Sequence, residues 1–317
     1  MSRVAAIDCG TNSIRLLVAD VTESFDGTPA LRDIYREQRV VRLGKGVDAT
    51  GVLDPEALER TRVALADYTA VLRRKGTERV RMVATSATRD ARNRDDFFGM
   101  VRATLGVDAE VISGDEEARL SFAGAVGELD PSDGPFVVVD TGGGSTELVV
   151  GELMSDGAAV RAAYSADIGS VRITERCLAG DPPSAAEVAA ARDLTASVLA
   201  DAFAAVPVEG ARTWVGVAGT ITTLSAYAQR LQAYDRTAVH LSRLSVEDLH
   251  RVAEELLGMT RAERGEHKAI DPGRIDVIGG GALIVDVLGA VLHERAGVTE
   301  MVISEHDILD GIARTLA

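Results

Sequence analysis

One short pattern occurs twice in the chain, each time where an apolar run ends at an aspartate. The first copy turns at Asp8 and the second at Asp140, and a constant offset of 132 positions aligns the glycines, serines and apolar residues that follow. Each copy predicts a strand, a tight glycine-containing turn and a second strand. Two matched units so far apart favour duplicated domains over a short-period repeat.

The turn of the second copy, Gly142–Ser145, is typical of an anion-binding site. Its glycines let backbone N–H groups approach a ligand closely, and successive N–H groups around such a turn form an anion nest. Asp140 and Glu147 flank the turn. Carboxylates beside an anion site make chemical sense when a hard cation such as Mg²⁺ lies between them. An ordinary glycine-rich hairpin remains the alternative.

The first copy carries Arg15 where the second has Glu147, so the two hairpins are predicted to have different roles. Phosphate-cradling hairpins on two facing domains would form a clamp around a phosphoryl group. The pairing therefore points to phosphate chemistry more strongly than either turn does alone.

Charge and composition exclude several other classes of protein. The 317 residues carry a net charge of −15, which argues against nucleic-acid or anionic-membrane binding. No apolar run reaches the length of a membrane span, and a strand motif from residue 4 onward leads us to expect no signal peptide. The two cysteines, Cys9 and Cys177, fit a reducing cytoplasm, and we expect Cys9 to be a buried thiol rather than a nucleophile.

A third polar segment follows the strand predicted at 79–84 and opens a helix that carries Arg89. A helix N-terminus attracts anions, and the planar guanidinium of Arg89 could bind phosphate oxygens. A capped helix with a solvated arginine is the open alternative.

Glu116 and Glu117 lie in the predicted first turn of a helix at 115–127. Acidic residues there often only complement the helix dipole. Adjacent helical positions point about 100° apart, so both side chains cannot face one site. If one of the two is catalytic, the other is predicted to be structural.

Further along, Gly219 and Thr220 open another helix and could bind a further phosphate or a nucleotide. Residues 260–274 are predicted to form a basic loop near the cleft between the two predicted domains. Three consecutive glycines, 279–281, near the start of a long apolar helix indicate close backbone packing or a ligand.

Strands and helices alternate throughout, which predicts the α/β class with mixed sheets. Residues 298–304 and 307–316 are predicted as a last strand and a closing helix. The closing helix could complete the second domain or return to the first.

Five ordered segments together resemble a known family; they are Asp8-x-Gly-Thr-Asn-Ser, Ala84-Thr-Ser-Ala-Thr-Arg89, Ile112-Ser-Gly-x-Glu-Glu-Ala-Arg119, Asp140-x-Gly-Gly-Gly-Ser-Thr-Glu147 and Val217-Ala-Gly-Thr220. The set resembles the exopolyphosphatase/guanosine pentaphosphate phosphatase (Ppx/GppA) family of the actin-like ATPase superfamily. The resemblance implies two ribonuclease-H-like domains with mixed sheets flanked by helices, and an active site in the interdomain cleft. Domain I would comprise residues 1–125 and 304–317, and domain II residues 126–303.

The resemblance also assigns roles in a hydrolysis at phosphorus. It makes Glu117 the general base for an attacking water, Arg89 a partner of phosphate charge, and Asp8, Asp140 and Glu147 the ligands of Mg²⁺. The expected phosphate-binding residues are Gly10, Thr11, Asn12, Ser13, Arg89, Gly142, Gly143, Gly144, Ser145, Gly219 and Thr220.

The implied substrate is inorganic polyphosphate, with guanosine pentaphosphate (pppGpp) as the alternative, because both end in the same phosphoanhydride. Long members of the family carry further C-terminal helical domains, so an end at residue 317 implies a preference for short chains. A homodimer is expected by analogy. A sugar-kinase-like transferase and a non-catalytic sensor of ppGpp or polyphosphate are the competing hypotheses.

Overall fold

The computed structural model describes residues 2–23, 29–155 and 157–317. Within these ranges eleven strands are found: β1 Ser2–Cys9, β2 Ser13–Glu23, β3 Pro29–Val40, β4 Arg79–Ala84, β5 Ala109–Val111, β6 Phe136–Thr141, β7 Thr146–Met154, β8 Gly157–Ala166, β9 Thr213–Val217, β10 Arg243–Ser245 and β11 Glu300–Ile303. The described α-helices are α1 Val47–Thr50, α2 Pro55–Lys75, α3 Ser86–Asp90, α4 Arg94–Leu105, α5 Gly114–Ala125, α6 Ser170–Cys177, α7 Ala185–Ala205, α8 Ala218–Ala228, α9 Arg236–Val239, α10 Val246–Gly258, α11 Arg261–Glu266, α12 Ile278–Ala296 and α13 Ile308–Arg314.

The chain divides into two compact units. Unit 1 comprises Met1–Gly124 and Ile308–Ala317, and unit 2 comprises Ala125–Asp307. The domain limits that the resemblance implies for two ribonuclease-H-like domains stay a prediction.

Unit 1 is built on a five-stranded mixed sheet in the order β3-β2-β1-β4-β5. β1, β2 and β3 form an antiparallel meander, whereas β4 and β5 continue the sheet in parallel with β1. Because successive side chains on a strand point to opposite faces, β1 contributes to two cores. Ala5 and Ile7 join the core that contains α2 and α4, and Val4 and Ala6 join the core that contains α13.

Unit 2 repeats this plan in a six-stranded sheet of order β10-β11-β9-β6-β7-β8. β6, β7 and β8 form the meander, β9 and β11 run parallel to β6, and β10 is an antiparallel addition at the edge. The correspondence extends to an irregularity, since the register shifts between Val18 and Ala19 in β2 and between Val150 and Gly151 in β7. These positions obey the same offset of 132, which supports the duplication inferred from the sequence. The predicted α/β class with two mixed sheets flanked by helices is confirmed.

Of the two alternatives that the sequence left open for the closing helix, the return to the first unit is the one observed. β11 pairs with β9 in unit 2, whereas α13 packs on β1 in unit 1. Gly311 also lets α13 lie directly against α5, because a Cβ there would lie 2.1 Å from the Leu120 carbonyl oxygen.

Two of the three glycines at 279–281, near the start of α12, serve close packing. A Cβ on Gly280 would lie 2.5 Å from Thr174 Oγ1, and one on Gly281 would lie 2.5 Å from Thr220 Cγ2. Of the two explanations considered, packing of α12 against α6 and α8 therefore accounts for them.

The predicted basic loop at 260–274 is wrong in its first half. Thr260 caps α11 through a capping box with Glu263, and Arg264 is buried. Its guanidinium donates hydrogen bonds to the carbonyls of Met259 and Ile275, at 3.0 and 2.7 Å. Arg264 therefore supports the chain around it rather than a basic surface.

Candidate active site

In unit 1, the turn between β1 and β2 presents its backbone N–H groups on one side. The Gly10 N–H donates to Ser13 O at 3.0 Å and closes the turn. The Thr11 carbonyl accepts from Gly44 N at 2.7 Å, and the Asn12 carbonyl accepts from Val41 N and Arg42 N at 3.0 and 2.8 Å. Because these peptides are trans, the N–H groups that follow each bound carbonyl point the opposite way. These N–H groups therefore point away from residues 41–44, whose own N–H groups bind the carbonyls.

In unit 2, the turn between β6 and β7 is held in the same manner by another element. Gly142 N donates to Ser145 O at 3.0 Å, which matches the closure in unit 1. The first N–H groups of α6 bind the outer carbonyls, with Ser170 N donating to Gly142 O and Val171 N to Gly143 O, both at 2.9 Å. The N–H groups of the residues that follow, Gly143 and Gly144, consequently point away from α6, as an anion nest requires.

Two residues of the α6 segment fix this second turn more tightly. Arg172 Nε donates to the Gly144 carbonyl at 2.8 Å. Gly169 lies directly against the turn, because a Cβ there would be 2.5 Å from the Gly143 carbonyl carbon and 2.6 Å from Gly144 N. The predicted cradle is thus held by a segment about 25 residues further along the chain, which the sequence analysis did not identify.

The residue opposite each aspartate differs between the units as the sequence predicted. In unit 1, Arg15 is the cross-strand partner of Asp8 and donates to its Oδ2 from Nε at 3.0 Å and from Nη2 at 2.7 Å. In unit 2, Glu147 is the cross-strand partner of Asp140. One hairpin therefore pairs its carboxylate with a protein cation, and the other pairs it with a second carboxylate.

The carboxylates of unit 2 have the chemistry of a hard-cation site. Asp140 and Glu147 are 7 % and 1 % exposed. Directly opposed residues of antiparallel strands hold their Cβ atoms about 4.5–5.5 Å apart, where like charges destabilise the pair. Two oxygen ligands so placed fit Mg²⁺. Ser165, the partner of Glu147 on β8, donates to its Oε1 at 2.7 Å and orients it.

The two glutamates at the start of α5 take separate roles, as their angular spacing predicted. Glu116 is only partly buried and accepts from Arg81 Nη2 at 2.7 Å. Glu117 is 8 % exposed, and its Oε2 accepts from Arg89 Nη1 at 3.2 Å. Arg89 Nη1 also donates to Ile112 O at 3.0 Å, so it is tied to the strand-to-helix loop. Of the two carboxylates, Glu117 is the one held in a defined, nearly buried position.

The third glycine turn lies at the start of α8. Ala218 has a φ of 71°, in the left-handed region that a residue with a side chain rarely adopts. Gly219 lies under the guanidinium of Arg274, since a Cβ there would be 1.9 Å from Arg274 Nη2. Thr220 is 6 % exposed. The predicted phosphate role of this turn stays a prediction, and Arg274 joins it as a neighbouring cation.

Cys9 lies at the end of β1 and is a free, buried thiol, as expected. Burial, reinforced by the nearby Asp8 carboxylate, raises its pKa far above the ordinary value. The thiolate is the reactive form of cysteine, so this side chain is chemically inert.

Comparison with known proteins places these features in one family. The model of the Ppx/GppA phosphatase family matches residues 17–316. The chain belongs to the Ppx/GppA phosphatase family. Across its whole length it is 58 % identical, over 322 aligned residues, to exopolyphosphatase 2 of Mycobacterium tuberculosis, of which 99 % is covered.

Solved Ppx/GppA-type structures have the same fold. A protein described as exopolyphosphatase-like superposes with a TM-score of 0.94 at 45 % identity, covering 100 % of this chain and 98 % of the other. The Aquifex aeolicus Ppx/GppA enzyme superposes with a TM-score of 0.79 at 31 % identity, covering 99 % of both chains. The family resemblance inferred from the five motifs is therefore confirmed.

Proposed function

We propose that the chain is an exopolyphosphatase, which hydrolyses the terminal phosphoanhydride of inorganic polyphosphate and releases orthophosphate. The observation that carries this proposal is the 58 % identity to an exopolyphosphatase over the full length of both chains. The paired anion-nest turns and the nearly buried Glu117 support it independently of that comparison.

Substrate binding is assigned to the two turns and to nearby cations. The N–H groups around Asn12 and Ser13 in unit 1, and around Gly143–Ser145 in unit 2, would donate to the oxygens of the terminal phosphoryl group. Donors fixed in advance at a site of developing charge stabilise a transition state with little reorganisation. Because the carbonyls of both turns are already bound from behind, their N–H groups need not rearrange to receive the anion.

Glu117 is assigned as the general base. It would orient a water and accept its proton as the water oxygen attacks the terminal phosphorus in line with the bridging oxygen. The new bond joins the water oxygen to phosphorus, the bridging P–O bond breaks, and its electron pair leaves with the shortened chain. Arg89 holds Glu117 Oε2 at 3.2 Å and would fix the direction from which the water approaches.

Asp140 and Glu147 would hold Mg²⁺, with Ser165 fixing the rotamer of Glu147. When bound, the ion would neutralise charge on the phosphoryl oxygens and so favour attack by the water. Arg15 already provides positive charge beside Asp8. We therefore assign Asp8 chiefly to holding Arg15, and its predicted ligation of the metal remains to be tested.

An acidic chain can bind a polyanion in this way because the local field decides binding. The net charge of −15 is spread over the whole molecule, and interactions beyond about 10 Å are screened at 0.1 M salt. N–H dipoles, arginines and a metal ion act within that range.

The test is orthophosphate release with Mg²⁺ from polyphosphates of defined length and from pppGpp, assayed in parallel. We expect Mg²⁺-dependent release from polyphosphate. A clear preference for pppGpp would make the protein a pppGpp phosphohydrolase with the same chemistry. Binding of both compounds without release from either would overturn the proposed hydrolysis and leave a sensor.

Two further proposals concern the setting of the enzyme. Across the described residues, every helix is too short or too polar to traverse a bilayer. We place the enzyme in the cytoplasm because Cys9 and Cys177 are both free thiols. Sedimentation of the purified chain tests the expected homodimer.

A further inference from the structure

Two histidines and a glutamate of unit 2 lie together, and none of the three belongs to the turns described above. Their ligand atoms, one each from Glu128, His240 and His306, all lie within 4.8 Å of one another. His240 Nε2 is 3.1 Å from Glu128 Oε2, and His306 Nε2 is 3.4 Å from Glu128 Oε1. We call these three residues the histidine–glutamate cluster.

The spacing of these atoms is compact enough for one metal ion. Zn²⁺ binds imidazole nitrogen and carboxylate oxygen at about 2.0–2.2 Å, so neighbouring ligand atoms of a tetrahedron lie about 3.3–3.6 Å apart. Each histidine Nε2 lies near that distance from a different oxygen of Glu128, at 3.1 Å for His240 and 3.4 Å for His306, and one ligand atom from each residue lies within 4.8 Å of the other two. Two neutral imidazoles and one carboxylate leave the fourth position open to water.

The donor types select the metal. Imidazole nitrogen suits zinc, copper and nickel, whereas Mg²⁺ prefers oxygen ligands. The histidine–glutamate cluster and the Asp140–Glu147 pair therefore differ in the ions that they favour. Zn²⁺ can therefore be titrated into the histidine–glutamate cluster while Mg²⁺ saturates the Asp140–Glu147 pair.

The positions of the rings are partly fixed before an ion arrives. The rings of His240 and His306 stack edge to face with centroids 5.0 Å apart. The Glu305 N–H donates to His240 Nδ1 at 3.2 Å. When Nε2 of a neutral imidazole binds a metal, Nδ1 carries the proton, so this backbone hydrogen bond must be given up. Its loss weakens metal binding about fivefold, which a zinc site tolerates.

A second cluster of comparable composition shows why the first is the better candidate. His250, Glu254 and Asp286 also bring three ligand atoms together. Here, however, Arg192 donates to Asp286 Oδ2 at 2.6 Å and to Glu254 Oε1 at 2.7 Å. A guanidinium already neutralises both carboxylates and would repel a metal ion. This cluster serves as an internal control.

We propose that Glu128, His240 and His306 form a binding site for a divalent transition-metal ion, with Zn²⁺ as the preferred occupant. Glu128 lies just inside the start of unit 2, which begins at Ala125, and His306 lies just before its end at Asp307. An ion bound here joins residues near both ends of that unit. Because the site forms only in the folded chain, its occupation raises the melting temperature.

Isothermal titration of the full chain with Zn²⁺, in millimolar Mg²⁺, tests the site directly. We expect one Zn²⁺ per chain in the wild type, with affinity reduced at least tenfold in Glu128→Gln and in His306→Ala. Glu128 is exposed, so its conservative substitution is not expected to affect folding. His250→Ala should bind Zn²⁺ with wild-type affinity. Glu147→Gln should do the same, and it is the control for Zn²⁺ bound at the Asp140–Glu147 pair.

Two further readouts separate ligation from a structural effect. Co²⁺ bound in place of zinc should give the visible absorption of a tetrahedral site, and this absorption should disappear in His306→Ala. Zn²⁺ should raise the melting temperature of the wild type but not of Glu128→Gln. Absence of zinc binding, or binding that survives in Glu128→Gln and His306→Ala but is lost in His250→Ala or Glu147→Gln, would overturn the proposal.

Discussion

Gly169 supports the second cradle by steric contact alone, and its replacement by alanine tests how closely that cradle must be positioned. The residue has φ −154° and ψ 170°, an extended conformation that alanine adopts without strain. Its added Cβ would lie 2.5 Å from the Gly143 carbonyl carbon and oxygen and 2.6 Å from Gly144 N, where ordinary contact begins at 3.4 Å. One of the two segments must therefore move by about 0.8–0.9 Å.

The size of this displacement sets the expected losses of catalytic rate and of stability. Both contacting groups are backbone, so no side chain can turn aside. A misplacement of about 1 Å in a catalytic arrangement costs about 10²-fold in rate, and overpacking costs about 1–3 kcal/mol of stability. We expect kcat/KM of Gly169→Ala for polyphosphate to fall about 100-fold, with a melting temperature lower by several degrees.

The assay is steady-state phosphate release well below the melting temperature of the variant, with circular dichroism to verify folding. Gly258→Ala, at the end of α10, is the matched control, because a Cβ there meets nothing within 4 Å. That control should retain wild-type kinetics. A folded Gly169→Ala enzyme with kcat/KM within twofold of wild type would refute the proposed role of the turn.

Three further predictions concern single carboxylates and their partners. Glu116→Gln loses only the partly exposed ion pair with Arg81 and leaves Glu117 in place, so kcat should stay within about twofold of wild type; a loss beyond tenfold would contradict the division of roles in α5. Ser165→Ala removes the hydroxyl bond to Glu147 Oε1 and should raise the Mg²⁺ concentration for half-maximal activity about tenfold, with recovery in Ser165→Thr; an unchanged Mg²⁺ dependence would remove Ser165 from that role. Hydrogen bonds from the backbone and hydroxyl of Ser184, with one from the Gly180 amide, lower the pKa of Glu187 from 4.5 to about 2. This stabilisation is complete above pH 4.5 and is lost as the pH falls towards 2, so thermal unfolding should show the advantage of wild type over Glu187→Ala shrinking in that window; a constant difference would contradict the assignment.

The sequence predicted the parts of the fold that depend on local pattern. Both hairpins were recognisable because apolar runs, glycines and serines recur at fixed spacing, and the fixed offset linked them. The different partners of Asp8 and Asp140 also followed from that alignment. Position on a helix predicted that Glu116 and Glu117 would have separate roles, although it could not say which one is buried.

Contacts between distant segments were beyond the reach of such patterns. Gly44, Gly169 and Arg172 hold the two turns from behind, yet each lies in a stretch with no motif of its own. Gly44 approaches so closely that a Cβ there would be 2.4 Å from Thr11 Cγ2. A glycine in extended backbone carries no local signal, because only the neighbour that fills its space explains it.

The predicted basic loop failed for a related reason. The polar composition of this stretch suggested that Arg264 lies on an exposed loop. Instead, a capping box starts α11 at this point, and two backbone carbonyls bind the buried guanidinium of Arg264 within unit 2. Long arginine side chains can bury their stems or solvate them, and sequence alone does not decide between the two.

We propose above that Glu117 is the base for hydrolysis of a terminal phosphoanhydride. The most direct test compares wild type and Glu117→Gln for phosphate release from short polyphosphate with Mg²⁺, alongside calorimetric binding of the same substrate. We expect the variant to bind with unchanged affinity and to release phosphate about 10²–10⁴-fold more slowly, the usual contribution of general-base catalysis. Wild-type kcat in the variant would contradict this role of Glu117.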